Sequence, residues 1–145
     1  MEYYPTKSNY HAVYSIKDMA NYLLHPETRV FVIRDYEGNF DLYCQFIIKL
    51  QNLIFVIEEV DSVCNPSFIS ANFSQILRYG RHRDINIIAI SRRPAEINRL
   101  VTALATDIIC FRFTEPRDLD YLKKLDFDIE RIKKLRDYEW EYKAL

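Results

Sequence analysis

The sequence predicts an α/β fold with a mostly parallel sheet of four to five strands flanked by helices, on three observations. Short apolar runs rich in β-branched and aromatic residues recur at 29–34, 53–57, 85–90 and 107–113. They alternate with stretches whose apolar residues fall at helical spacing, the pattern of strands joined by right-handed crossovers. The run Leu53 to Ile57 ends in Glu58, Glu59 and, after Val60, Asp61. Acids at the C-terminal end of a strand buried on both faces lie where open parallel sheets bind their ligands.

Taken in order, residues 1–9 are a polar, aromatic lead-in, followed by a short strand at 10–14. Ser15 is a helix N-cap with Asp18 three residues on, so a helix is expected over 16–24, stopped by His25-Pro26. Arg29 to Arg34 is the next strand, Asp35 to Asn39 a turn, and 40–50 a helix. The strand Leu53 to Ile57 leads to a loop around Asn65-Pro66. Ser67 then caps a helix reaching Tyr79, with Gly80 as its C-cap. Strand 85–90, the loop Ser91-Arg92-Arg93-Pro94, helix 95–104, strand 107–113, the Glu115-Pro116 turn and helix 117–125 follow. A charged helix over 129–138 closes the chain. The whole reads as one α/β domain over 1–145, with 1–28 as an N-terminal lead-in and 126–145 as a charged C-terminal helix or tail.

Composition narrows the function classes. The chain has 145 residues, about half of them apolar, enough for one sizeable core. No stretch approaches the ~20 apolar residues of a membrane helix, and Met1-Glu2-Tyr3-Tyr4-Pro5 has no signal-peptide pattern. A cytoplasmic protein with no membrane partner is expected. Cys44, Cys64 and Cys110 lack the paired spacing of a disulfide framework or zinc site, which makes them reduced structural thiols. Cys64 is the one candidate reactive thiol, although neighbouring acids disfavour its thiolate. His11, His25 and His82 are isolated, so neither a metal site nor a catalytic triad is supported. Net charge is −1, but Arg78, Arg81, Arg83, Arg92, Arg93 and Arg99 face only Asp84 and Glu96 in their segment. Any case for nucleic acid rests on that basic island.

At the end of the 53–57 strand, Glu58 and Glu59 could hold Mg²⁺ and orient an attacking water, or simply cap the strand in solvent. Adjacent strand residues point to opposite faces, so the two acids should not share one task. Arg92 and Arg93 could touch phosphates, or pair across the strand ends with Glu58, Glu59 or Asp61. Tyr138, Trp140 and Tyr142 read as packing or partner contacts.

The order of these parts resembles the C-terminal half of the HerA/FtsK-like P-loop ATPases, the DNA translocases and viral packaging motors, over about 29–125. The matching residues are the apolar strand ending in Glu58-Glu59, the pair Gly80-Arg81, and Ser91-Arg92-Arg93-Pro94. The resemblance implies a P-loop NTPase-like domain related to DNA translocation or packaging in a virus or mobile element. It implies a Walker B role for the first pair, with Glu58 at the metal position and Glu59 as the catalytic acid. Arg81, with Arg78 and Arg83 as rivals, matches an arginine supplied to a neighbouring subunit's site. Arg92 stands where the family has a Gln that senses the γ-phosphate.

The departures matter equally. A G-x-x-x-x-G-K-[ST] loop is absent, because the chain has only Gly38 and Gly80; Lys7-Ser8 is a coincidence. Glu58 is one methylene longer than the usual Asp. The expectation is therefore an incomplete or degenerate ATPase domain that does not hydrolyse ATP alone. It is either the C-terminal part of a larger ATPase or a non-hydrolysing relative, with no cofactor by itself and Mg-ATP if a missing N-terminal part completes it. The alternative is a binding module docking on DNA or a partner ATPase through Arg78, Arg83, Arg92 and Arg93, and a homo-oligomer is a further expected assembly. In the family the strand feeding the phosphate loop lies between those matching 85–90 and 107–113. These two strands either pair directly or leave a slot for another segment.

Overall fold

The computed structural model describes residues 11–23, 31–33 and 39–145. The expected lead-in over 1–9, the His25-Pro26 stop and the turn at 35–38 lie outside them. The chain runs β1 (His11–Val13), α1 (Ile16–Leu23), β2 (Phe31–Ile33), α2 (Phe40–Ile47), β3 (Leu53–Ile57), α3 (Val60–Val63) and α4 (Ala71–Tyr79). A 3₁₀ turn at Gly80–Arg83 leads to β4 (Ile85–Ala89), and another at Pro94–Glu96 to α5 (Arg99–Ala103). The last elements are β5 (Asp107–Cys110), α6 (Pro116–Lys124), α7 (Ile129–Lys134) and β6 (Glu141–Ala144).

Side-chain caps place the helices. The Asp18 N–H donates to Ser15 Oγ (3.1 Å), starting α1 at the expected residue. The cap of α4 is Ser70, which accepts from the Phe73 N–H (3.3 Å), rather than Ser67. Residues 65–68 instead close a tight turn, with Asn65 Oδ1 accepting from the Ser67 N–H and a bridge between Asn65 and Phe68. Asp41 on α2 then accepts from both the backbone N–H (3.2 Å) and the side-chain amide (2.7 Å) of Asn72, fastening α2 to α4. Gly80 does cap α4, but with φ −55°. The left-handed turn into β4 falls to Asp84 (φ 55°), a residue type that tolerates it.

β1 to β5 fall where strands are expected, but among the described residues they do not join into one sheet of four to five. They form three hydrogen-bonded pairs: β1 with β2 and β3 with β4, both parallel, and β5 with β6, antiparallel. No ladder links β4 to β5 among the described residues. The C-terminal stretch also differs from the helix or tail expected over 126–145. Its helix stops at Lys134, and the chain returns as β6 in register Asp107 to Ala144. Lys143 explains why this strand docks: its Nζ donates to the Leu125 carbonyl (2.8 Å) and the Asp126 carboxylate (2.9 Å) at the C-terminal end of α6. A cation suits that end of a helix, and the same ammonium lies 5.9 Å above the Phe127 ring.

Two apolar clusters result. The first joins Met19, Tyr43, Cys44, Ile47, Ile57, Phe73, Ile76 and Ile85, with Phe40 packed edge-on to Phe73 at 5.2 Å. The second joins Cys110, Leu119, Leu122, Phe127, Ile132 and Leu135. The β3–β4 pair turns Leu53, Phe55, Ile57, Ile85 and Ile87 to the first cluster. Its other face leaves Ile54, Val56 and Ile88 exposed, with Ile90 just beyond, at 65, 50, 49 and 47%. Parallel strands normally have both faces covered, so this bare face is unusual. No helix of the described residues is long and apolar enough to cross a membrane.

Candidate functional site

The site forms where the C-terminal ends of β3 and β4 meet. The ladder continues past both strands, because the Ile90 N–H donates to the Ile57 carbonyl and the Val60 N–H to the Ile90 carbonyl, each at 2.9 Å. These bonds hold the acids after β3 beside the Ser91–Arg93 loop after β4. Glu59 adopts a left-handed backbone (φ 51°) as the N-cap of α3, which turns its side chain out of the strand's alternation.

Three consecutive loop residues each grip a different carboxylate. Ser91 Oγ donates to Asp61 Oδ1 on α3 at 2.6 Å. Arg92 makes a short ion pair with Glu59. Arg93 Nε donates to Asp118 Oδ2 on α6 at 3.0 Å. Asp118 is only 1% exposed, and its second oxygen accepts from the Ala95 N–H (3.0 Å). Glu115, the N-cap of α6, receives the Asp118 N–H (2.9 Å) and lies 3.6 Å from Arg93. These partners push the Arg93 pKa up, led by the Asp118 hydrogen bond and then its charge. The Asp118 N–H bond, helped by the Arg117 N–H and the Arg93 charge, draws Glu115 below its usual range against desolvation.

The loop arginines therefore pair across the strand ends, the second of the two readings open in the sequence, but with Glu59 and Asp118. Glu58 is exposed and has no ion-pair partner among the described residues. Magnesium commonly uses one or two carboxylates and takes its remaining ligands from phosphate and water. Among the described residues no group of three or more His, Cys, Asp or Glu could hold a metal, so no protein-only cage forms around Glu58.

The basic island is divided. Arg78, Arg81 and Arg83 lie at the end of α4 and on the 3₁₀ turn, exposed; among the described residues only Arg78 is bonded through its side chain, to Ser74 Oγ at 3.4 Å. The Asn52 N–H donates to the Arg83 carbonyl, which fixes this group at the start of β3. Glu59 and Arg92 lie past its far end. Five strand residues separate the poles, roughly 16 Å at about 3.3 Å per residue. Within one chain, Arg81 and Glu59 do not meet.

Cys64 is 1% exposed, its Sγ bonds the Val60 carbonyl at 3.3 Å, and burial raises its pKa. Its candidacy as a reactive thiol is not supported. Sequence reasoning missed Asp118 and the Ser91–Asp61 bond. Asp118 looks like an ordinary first-turn acid, and its one visible signal was the Glu115-Pro116 start that fixes its position on α6.

No family model and no curated protein matches this chain. Solved structures do. The chain superposes on the genome-packaging NTPase B204 of Sulfolobus turreted icosahedral virus 2 in complex with ATP-gammaS with a TM-score of 0.74, over 92% of this chain and 68% of B204. It shares the fold of a viral genome-packaging NTPase. Sequence identity is 18%, so the likeness is one of fold. B204 in complex with AMPPCP gives 0.75 at 18% identity over 94% of this chain and 70% of that one. The DNA-packaging ATPase B204 of Sulfolobus turreted icosahedral virus gives 0.65 at 20% identity, over 79% and 61%. The chain spans about two thirds of B204's length.

Proposed function

We propose that this chain is the Walker B-bearing part of a HerA/FtsK-like packaging ATPase and does not hydrolyse ATP alone. The observation that carries the reading is the open edge of β4. Among the described residues its partner is β3 on one side only, β5 pairs elsewhere, and the adjoining sheet face leaves Ile54, Val56, Ile88 and Ile90 exposed. A strand and helix bearing a phosphate loop would pair with β4 and cover that face, adding roughly 1 kcal/mol for each half-exposed side chain buried. The fold shared with B204, about a third of which lies outside the matched part, supports the same reading.

In the completed site Glu58 would hold the magnesium of Mg-ATP and Glu59 would orient the attacking water. Arg92 would contact phosphate. Arg81 would act on a neighbouring copy or partner ATPase, a role consistent with its distance from Glu59 within one chain. DNA would be the polymer moved, in the cytoplasm. The test is Mg-ATP hydrolysis by the chain with and without a phosphate-loop polypeptide of this family. No turnover is expected alone, with turnover on addition that Glu59→Gln lowers by at least 10²-fold, on the scale of a lost catalytic group. Turnover by the chain alone would refute the reading.

A second reading, a non-catalytic module docking on DNA or a partner ATPase, is favoured by Arg81 and Arg83, which are exposed and lack side-chain partners among the described residues. It predicts duplex affinity that falls with salt and drops when both become Ala, by about one unit of salt slope per lost phosphate contact.

A further inference from the structure

The outer edge of β6 carries backbone groups that β5 does not use. The Leu145 N–H donates to the Thr106 carbonyl at 2.8 Å, and the two strands run in register Asp107 to Ala144. Bonded and non-bonded pairs alternate along an antiparallel ladder, so Glu141 and Lys143 direct their N–H and C=O groups to β5. Tyr142 and Ala144, with Trp140 before them, turn theirs to the other edge, where no described strand lies. Edge strands are commonly guarded by charges, an inward-pointing one among them, that pairing would bury. Here both charges of β6 are already neutralised, Lys143 by Asp126 (2.9 Å) and Glu141 by Arg131. The outer face of the ribbon holds Ile109, Phe111, Trp140 and Tyr142, each 53 to 58% exposed, and Asp107 at its end accepts the Tyr142 hydroxyl. The edge is therefore open and unguarded.

We propose that β6 pairs antiparallel with β6 of a second copy of this chain about a twofold axis at Tyr142, giving a four-stranded order β5-β6-β6-β5. The stretch Trp140-Glu141-Tyr142-Lys143-Ala144 is self-complementary about its middle. Tyr142 meets its own counterpart, Glu141 lies opposite Lys143 of the second copy, and bulky Trp140 lies opposite small Ala144. Opposite charges and aromatic pairs directly across antiparallel strands both stabilise. The three outward-facing residues of each copy then fall in bonded pairs, exchanging about six backbone hydrogen bonds. A foreign strand would have to reproduce the same order of charge and size, which is why the occupant is a second copy. The apolar cluster of Cys110, Leu119 and Ile132 stays on the inner face of each ribbon, and the outer apolar face becomes continuous across the axis. One short strand per copy is a small interface, so the association is weak. It involves neither Glu59 nor Arg81 and stands whether or not the nucleotide-site reading does.

Sedimentation equilibrium of the chain without nucleotide should show a monomer–dimer equilibrium with a Kd of about 10–100 μM. Tyr142→Lys sets like charges across the axis and should weaken it by at least about 10-fold. Ala144→Pro removes an outward N–H and no bond to β5, and should weaken it as much with the fold kept. Ile109→Lys changes the same face one strand in from the edge and should alter Kd by less than about 3-fold. Tyr142→Cys gives a check that needs no loss of contact. Cα atoms of a bonded pair lie about 5.5 Å apart, within reach of a disulfide, so mild oxidation should join two copies. The three native cysteines are buried and stay out of that reaction. A chain that remains monomeric at about 1 mM, assembly beyond a dimer, failure of Tyr142→Cys to cross-link, or equal weakening by Ile109→Lys and Tyr142→Lys would each overturn the proposal.

Discussion

Arg93 Nε lies 3.0 Å from Asp118 Oδ2, and this contact joins the loop after β4 to α6, across 25 positions of sequence and between two separate apolar clusters. Asp118→Ala should lower stability by about 2–3 kcal/mol, because it leaves the Ala95 N–H without its acceptor and Arg93 without its pair. Arg93 itself can turn to solvent, which keeps the cost below that of a fully buried broken pair. A urea titration with unchanged slope checks it. A loss under 1 kcal/mol would mean that the latch is dispensable.

The two clusters share none of their buried members, so changes in them should add. Phe73→Ala should cost about 3–5 kcal/mol and Ile132→Val about 1 kcal/mol. The double variant should equal the sum within about 0.5 kcal/mol. A larger coupling term would show one merged core.

Acid should loosen the molecule by a traceable route. The Tyr142 hydroxyl (2.6 Å), helped by Thr106, depresses the Asp107 pKa, and Lys143 depresses that of Asp126. The Ser70 hydrogen bond, against desolvation and with help from Asn72, lowers that of Asp41. Folded values below the ordinary 3.8 mean stabilisation that is complete above that pH and lost as pH falls through the lower, folded values. The denaturation midpoint should hold from pH 7 to about 4.5 and drop below it. Tyr142→Phe should flatten the drop, and an equally steep one would remove Asp107 from the explanation.

Native thiols should resist labelling at pH 8. Burial pushes the Cys44 pKa up to about 12 and the Cys110 pKa up to about 11, with nearby Asp41 and Glu141 adding to each. All three cysteines are buried. Ellman's reagent should react with none at an appreciable rate until denaturant is added. One fast-reacting thiol would point to local opening near that cysteine.

What the sequence made legible was local. Leu53 to Ile57 forms the strand at its expected bounds, because an apolar run between turn residues has little alternative, and the Ser15 cap follows from one hydroxyl at a helix start. What it hid was pairing. Glu141 to Ala144 contains only Tyr142 and Ala144 as apolar residues in a charged tail, and becomes a strand because β5 offers an edge and Lys143 reaches α6. Glu59, not Glu58, receives Arg92 because the left-handed backbone at Glu59 breaks the strand's alternation. No spacing rule links Arg93 with Asp118. The open edge of β4 is one of two outcomes compatible with the sequence, since hydrogen bonds between distant strands leave no mark in either strand's composition.

The separation of Arg81 from Glu59 along β3 gives the molecule a polarity like that of a bar magnet. Two copies set antiparallel about a twofold axis across β3 would place each Arg81 end beside the other's Glu59 end, a reciprocal contact that closes as a dimer. A head-to-tail assembly also brings every Arg81 to a Glu59, and such a contact either closes into a ring or continues as a filament. The angle between successive copies decides which, and with it whether the poles enclose a channel or line a track.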